Sequence, residues 1–223
     1  MVTAGATMSA ARREALIAIS RAHNLLIMAD EVYHLLDFGD APPRPLAAYA
    51  HDARVLSFGS FSKICAPGLR LGWIHSAPDL LGALMTSGLV QSGGRLNPFT
   101  SGVVRSLLDL GLADTTLDAL RAVYTERSAV LCRALPEQVS TAMFVEPRGG
   151  YFVWTELPND MHAAARLPRA KSEGDTFHPG GRFISRDGFA PAMRLSFAHY
   201  DAPTLVEGVE RLARAMEGYG RAV

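Results

Sequence analysis

Residues 57–73 read SFGSFSKICAPGLRLGW, with a lysine and an arginine set between two apolar runs of strand length, VLSFGS and LRLGWIH. This stretch restricts the fold more than any other. A charge held between two buried strands needs a partner or a task, because an unpaired ion in an apolar interior is strongly disfavoured. Upstream, Leu25 to Ala29 is a continuous apolar run that stops at Asp30 and Glu31. Such a run suits a parallel strand buried on both faces. The preceding MSAARREALIAISRAHN reads as a helix with Ser9 as N-cap and with Leu16, Ile19 and His23 near one face. Residues 8–76 therefore read as α/β, with polar residues gathered where strands end. In open α/β sheets that is where ligands bind.

From Pro78 the pattern changes. Residues 78–90 and 98–136 read as helices, with GGRLNPF as a break between them. AMFVEPRGGYFVWTEL predicts two strands around a Pro-Arg-Gly-Gly turn, FHPGGRF another turn, and AMRLSFAHY a strand. The last helix, DAPTLVEGVERLARAM, has Asp201 as N-cap and Leu205, Val209, Leu212 and Met216 on one face. The expected organisation is an α/β part at 1–90, long connecting helices at 91–136 and an α+β part at 137–223. Trp73, Phe152 and Trp154 read as core, Gly149 and Gly150 as turn glycines, and Asn97–Pro98 as a helix start. Glu31 and His178 receive no role.

Composition excludes some classes of function. Lysine plus arginine equals aspartate plus glutamate, 22 against 22, so no basic excess points to nucleic acid. No apolar stretch reaches the roughly 18 residues of a membrane span. Two cysteines, Cys65 and Cys132, make no disulfide framework and fit a reducing compartment; each reads as a small buried filler. No metal site is assigned.

Two groups of polar residues remain. Asp30 and Tyr33 stand past the end of one strand; Ser60, Ser62, Lys63 and Arg70 stand past the next. If the strands are neighbours, a carboxylate, a phenol, an amine, two hydroxyls and a guanidinium share one rim. An amine beside a cation or an apolar wall becomes a nucleophile towards carbonyls. A guanidinium with hydroxyls cradles phosphate. A carboxylate keeps an aromatic nitrogen protonated. Pyridoxal 5′-phosphate presents those three needs: aldehyde, phosphate and pyridine nitrogen.

The run Ser-x-Ser-Lys-x-x-x-Pro-Gly-x-Arg-x-Gly-Trp, preceded by ADEVY and followed in order by GGRLNPFTS, EPRGGYFVW, HPGGRF and MRLSFA, resembles the class I/II aminotransferases of the fold-type-I pyridoxal-phosphate enzymes. The nearest likeness is to the branch with 2-aminoadipate-type and valine–pyruvate-type aminotransferases, and it covers residue 5 to the end. The resemblance implies an α/β fold comprising part of the large domain and a small α+β domain. It implies that Lys63 forms a Schiff base with the cofactor and shuttles the substrate proton, and that Asp30 pairs with the pyridine nitrogen. Tyr33 would bond the ring's phenolic oxygen, and Ser60, Ser62 and Arg70 would bind the phosphate. Arg194 would grip the substrate α-carboxylate. An amino acid and a 2-oxo acid are then the expected substrates, with a homodimer as the family's assembly and no nucleic-acid or membrane partner; the expected location is cytoplasmic.

Family members are nearly twice this long, and where they carry an Asn-Pro-Thr-Gly-like stretch this sequence has Val2, Thr3, Ala4 and Gly5. An N-terminal half is therefore expected to be lacking, which would leave Asp30's strand with an unpaired apolar edge and the chain prone to self-association. Two alternatives to an aminotransferase stand beside it: a non-catalytic remnant of the family, and a carbon–sulfur β-eliminating lyase using the same lysine.

Overall fold

The computed structural model describes residues 6–39, 42–92, 97–185 and 188–217. The chain divides into two compact units, one spanning Met8–Arg121 and the other comprising the described residues from Ala122 onward.

In the first unit, α1 (Ala10–His23) starts where the Ser9 side chain accepts a hydrogen bond from the Arg12 amide, and stops at Asn24 in the left-handed conformation (φ 51°). Asparagine is among the few residues that adopt this cap readily. The chain then forms β1 (Ile27–Asp30), a 3-10 turn (Leu46–Tyr49), β2 (Val55–Ser60), the single-turn α2 (Phe61–Ile64), a second 3-10 turn (Pro67–Leu69) and β3 (Gly72–His75). The sheet order is β1-β2-β3. β1 and β2 are parallel, with Asp30 opposite Phe58; β2 and β3 are antiparallel, with Ser60 opposite Gly72. Ile17, Ala29, Leu46, Ala50 and Val55 form the core beneath this sheet. Burying a side chain such as Ile17 or Val55 contributes about 1.5–3 kcal/mol each.

Three expectations need correction here. The buried stripe of α1 is Arg13, Ile17 and Ser20, while Ile19 is half exposed and His23 is exposed. The stripe follows the i, i+4 spacing that faces β1, and Arg13 enters it because a carboxylate waits there. β1 is not buried on both faces: Ala29 is buried, but Met28 on the other face is 69% exposed. Among the described residues the packed core lies on Ala29's side. Trp73 is not core either; it is 39% exposed on β3, where its indole packs on Gly59 and on the Phe61 ring, 4.7 Å away between centroids.

Helices α3 (Pro78–Met85), α4 (Gly88–Gln91) and α5 (Pro98–Asp109) follow. Part of the expected GGRLNPF break, residues 93–96, lies outside the described residues. Asn97 caps α5 by accepting from the Thr100 amide at 3.2 Å, with Pro98 in the first turn, where its missing N–H costs nothing. The span expected to be helical from 98 to 136 is divided at Gly111, whose φ of +66° suits only a residue tolerant of the left-handed region. The long α6 (Leu112–Gln138) comes next.

The second unit holds β4 (Met143–Phe144), β5 (Phe152–Glu156), α7 (Ala163–Ser172), β6 (His178–Pro179), a 3-10 turn (Gly180–Phe183), β7 (Ala192–Ser196) and α8 (Ala202–Met216). Its sheet has the order β4-β5-β7-β6, all antiparallel. Val153, Thr155, Met193 and Leu195 share the buried face. Asp201 caps α8 through the Thr204 amide, and Leu205, Val209, Leu212 and Met216 are buried as expected. The sequence reading has no counterpart to α7, which carries Pro168 in its interior. FHPGGRF, expected as a plain turn, makes the edge strand β6 and a 3-10 turn. Gly180 is required there, since a Cβ would lie 2.7 Å from both Ala192 Cβ and the Phe189 carbonyl oxygen.

Among the described residues no helix is long and apolar enough to cross a membrane, and no group of metal-ligating side chains comes together.

Candidate active site

Because β1 and β2 are parallel neighbours, their carboxyl ends open on the same rim. Asp30 and Ser60, the last residues of the two strands, both stand on it. Ser60 is also the N-cap of α2, its hydroxyl accepting from the Ser62 amide at 3.2 Å. Lys63 sits in that single turn and is half-buried. The loop closes where the Phe61 amide donates to the Leu71 carbonyl at 3.0 Å. Arg70 turns the chain back into β3 with φ at +50°, a conformation that costs a residue other than glycine roughly 1–2 kcal/mol. Its guanidinium donates to Ser62 Oγ at 3.3 Å and to the Pro67 carbonyl at 3.4 Å. The arginine, the buried hydroxyl of Ser62 and the lysine thus belong to one short, internally bonded loop.

Tyr33 is buried, and Lys63 Nζ lies 5.5 Å from the centre of its ring. Asp30 is exposed at the strand end, and its Oδ1 accepts a long 3.4 Å hydrogen bond from the Val32 amide. Lys63 and Lys171 are the only lysines in the sequence. An amine placed among these groups is therefore an uncommon resource in this chain.

The sequence reading gave Glu31 no role, yet it is the most heavily bonded carboxylate described. Oε1 accepts from the Leu46 amide (2.8 Å) and from Arg13 (3.3 Å); Oε2 accepts from Ser57 Oγ (2.8 Å) and the Ala47 amide (3.0 Å). The Arg13–Glu31 pair is nearly buried, with side chains 9% and 11% exposed. The available signal was an arginine at the spacing of α1's inner stripe, since a cation there demands a carboxylate.

In the second unit Arg194 lies in β7, between β5 and β6, opposite Trp154 on one side and His178 on the other. Its guanidinium carbon is 3.9 Å from the Phe152 ring centre and 4.2 Å from that of Phe183. Stacking on aromatic faces accounts for an arginine within an otherwise apolar strand, and leaves the guanidinium's in-plane fork as its hydrogen-bonding edge. His178 is held below the usual histidine range, first by burial and then by Arg194 and Arg182, so it adds no charge near neutral pH.

The family model for aminotransferase class I and II matches residues 4–212. The chain belongs to this family. It is 34% identical over 222 residues to a 2-aminoadipate transaminase of Thermus thermophilus, covering 97% of this chain and 55% of that protein. It is 30% identical over 216 residues to an aromatic-amino-acid aminotransferase of Thermococcus litoralis, covering 96% and 51%. Among solved structures, an α-aminoadipate aminotransferase of Thermus thermophilus, complexed with N-(5′-phosphopyridoxyl)-L-leucine, superposes with a TM-score of 0.87 at 33% identity, over 97% of this chain and 56% of that one. This class I/II aminotransferase chain thus has the mixed α/β architecture of the fold-type-I enzymes and spans about half the length of the curated relatives it matches.

Proposed function

We propose that this chain carries the cofactor-holding part of a pyridoxal-5′-phosphate-dependent aminotransferase site, which exchanges an amino group between an L-amino acid and a 2-oxo acid. One observation carries the reading: the Ser60–Arg70 loop puts an amine, a buried hydroxyl and a guanidinium bonded to it on the rim that also bears Asp30 and Tyr33. The donor set fits the group, with an amine for an aldehyde, a hydroxyl–guanidinium cradle for a phosphate and a carboxylate for a ring nitrogen. Bound there, pyridoxal phosphate supplies the aldehyde that takes up the amino group and a ring that withdraws electrons.

The chain's residues do the rest. Ser60, Ser62 and Arg70 bind the phosphate through hydrogen bonds strengthened by its charge. Asp30 holds a proton on the pyridine nitrogen, and Tyr33 donates its phenol to the ring oxygen. Lys63 Nζ joins the aldehyde carbon and, once displaced by substrate, moves a proton at the substrate Cα. Arg194 binds the α-carboxylate with its in-plane N–H groups.

The half-length coverage favours a second reading, in which this polypeptide keeps the loop but does not turn over alone. Both readings meet one experiment: pyridoxal phosphate titration of the purified chain, borohydride reduction and peptide mass mapping. With only two lysines, every lysine adduct is assigned without ambiguity. A saturable visible band, absent from Lys63→Ala, with the adduct on Lys63, is the expected result. Equal labelling of Lys63 and Lys171 overturns the cofactor role. Specific labelling without amino transfer from any L-amino acid selects the second reading.

A further inference from the structure

We propose that Glu31 is a positioning residue for the cofactor site: it holds Asp30 and Tyr33 in register with Lys63. The inference rests on the function proposed above. Every polar group of Glu31 is engaged. Its amide donates to the Phe58 carbonyl at 3.0 Å, extending the β1–β2 ladder one residue past the end of β1. Its carbonyl accepts from the His34 amide at 2.9 Å, winding the turn that carries Tyr33. The four donors to its carboxylate come from three other places: α1 through Arg13, β2 through Ser57, and the start of the Leu46–Tyr49 turn through two backbone amides.

The consequence is geometric. Asp30 precedes Glu31, and Tyr33 follows it by two residues. Ser57 lies on the strand that leads into the Lys63 loop. The carboxylate therefore ties the segment bearing Asp30 and Tyr33 directly to the segment bearing Lys63. All four partners are donors, so only an acceptor-only group suits them all. An amide at position 31 turns an NH2 towards donors on one of its two sides and leaves them unpaired.

The test compares Glu31→Gln with Arg13→Met in the full chain. Arg13→Met removes one of the four donors and the ion pair, but leaves the ties to Ser57, Leu46 and Ala47. Each variant is melted, titrated with pyridoxal phosphate, reduced, and scored for the ratio of Lys63 to Lys171 adduct. The ratio is insensitive to a simple loss of stability, provided labelling is done well below the melting temperature. Glu31→Gln is expected to weaken cofactor uptake about tenfold and to lower the Lys63 share, as unpairing buried donors at the strand ends implies. Arg13→Met is expected to melt earlier with the ratio unchanged within about twofold. An unchanged ratio in Glu31→Gln, or a fall in both variants in proportion to lost stability, overturns the positioning role while leaving the proposed function standing. Absence of Lys63-selective labelling in the unmodified chain overturns the proposed function, and this inference with it.

Discussion

Gly59→Ala tests the packing that supports the Lys63 loop. Gly59 is paired with Trp73 across the β2–β3 ladder, and a Cβ on it would lie 2.1 Å from both Cε2 and Cζ2 of that indole and 2.7 Å from Cη2. Carbon atoms in contact prefer about 3.5–4.0 Å, so the ring must move by more than about 1 Å. Trp73 is 39% exposed and can swing outward, at the expense of its contact with Phe61. Forcing a methyl into a packed contact costs about 1–3 kcal/mol, and alanine's lower backbone entropy in a strand returns about 0.5–1 kcal/mol. The net loss is about 1–2 kcal/mol, a fall in melting temperature of roughly 3–8 °C for a chain of this size. The assay is a thermal melt of the unmodified chain, both single variants and the double variant with Trp73→Ala. Without the indole there is nothing to displace, so Gly59→Ala should become neutral or stabilising by about 0.5 kcal/mol. A loss of the same size in both backgrounds refutes the argument.

Two further predictions come from the second unit and from the thiols. Cys132's thiol is pushed up to about 11, first by burial and then by the Glu146 carboxylate. At pH 8 only about one molecule in a thousand therefore carries its thiolate, and a maleimide should label half-buried Cys65 well before Cys132; equal rates by mass spectrometry would contradict this. Asp175's carboxyl is pushed up by burial, partly countered by the Thr176 amide and Arg211. The native state then binds this proton more tightly than the unfolded chain, so its contribution is fully present below the unfolded pKa and is lost as pH rises through the native one. Asp175→Asn should raise the melting temperature at pH 7, with the gain gone at pH 3; a loss at pH 7 would show that the Arg211 attraction outweighs burial.

What the sequence made legible was local chemistry. Ser9, Asn97 and Asp201 were readable as helix caps because capping joins residues three apart. The α8 stripe was readable because one helix face carries it. The Lys63 loop was readable because its partners, Ser60, Ser62 and Arg70, lie close to it along the chain. What stayed hidden depends on distant neighbours. Arg13 is buried only because Glu31, 18 residues on, receives it. Met28 and Ala29 are both apolar, and only the position of α1 and its core decides which is covered. Trp73 looks like core until its ring is seen lying on an exposed strand above a glycine. Helix α7 was masked by Pro168, which argues locally against the helix that forms.

The two halves of the candidate site also differ in the length of chain that must be gathered to build them. The Lys63 loop and its β2–β3 stem close through pairs such as Ser60–Gly72 and Phe58–Ile74, whereas Asp30 and Tyr33 arrive through β1–β2 pairs such as Ile27–Val55. Short closures cost less chain entropy and form sooner. The phosphate-cradling half is thus expected to assemble early in folding and the ring-binding half later. In pulse-labelled hydrogen exchange, the amides of Phe61 and Trp73 should gain protection before those of Ile27 and Glu31; the reverse order would mean that the parallel pairing nucleates the unit.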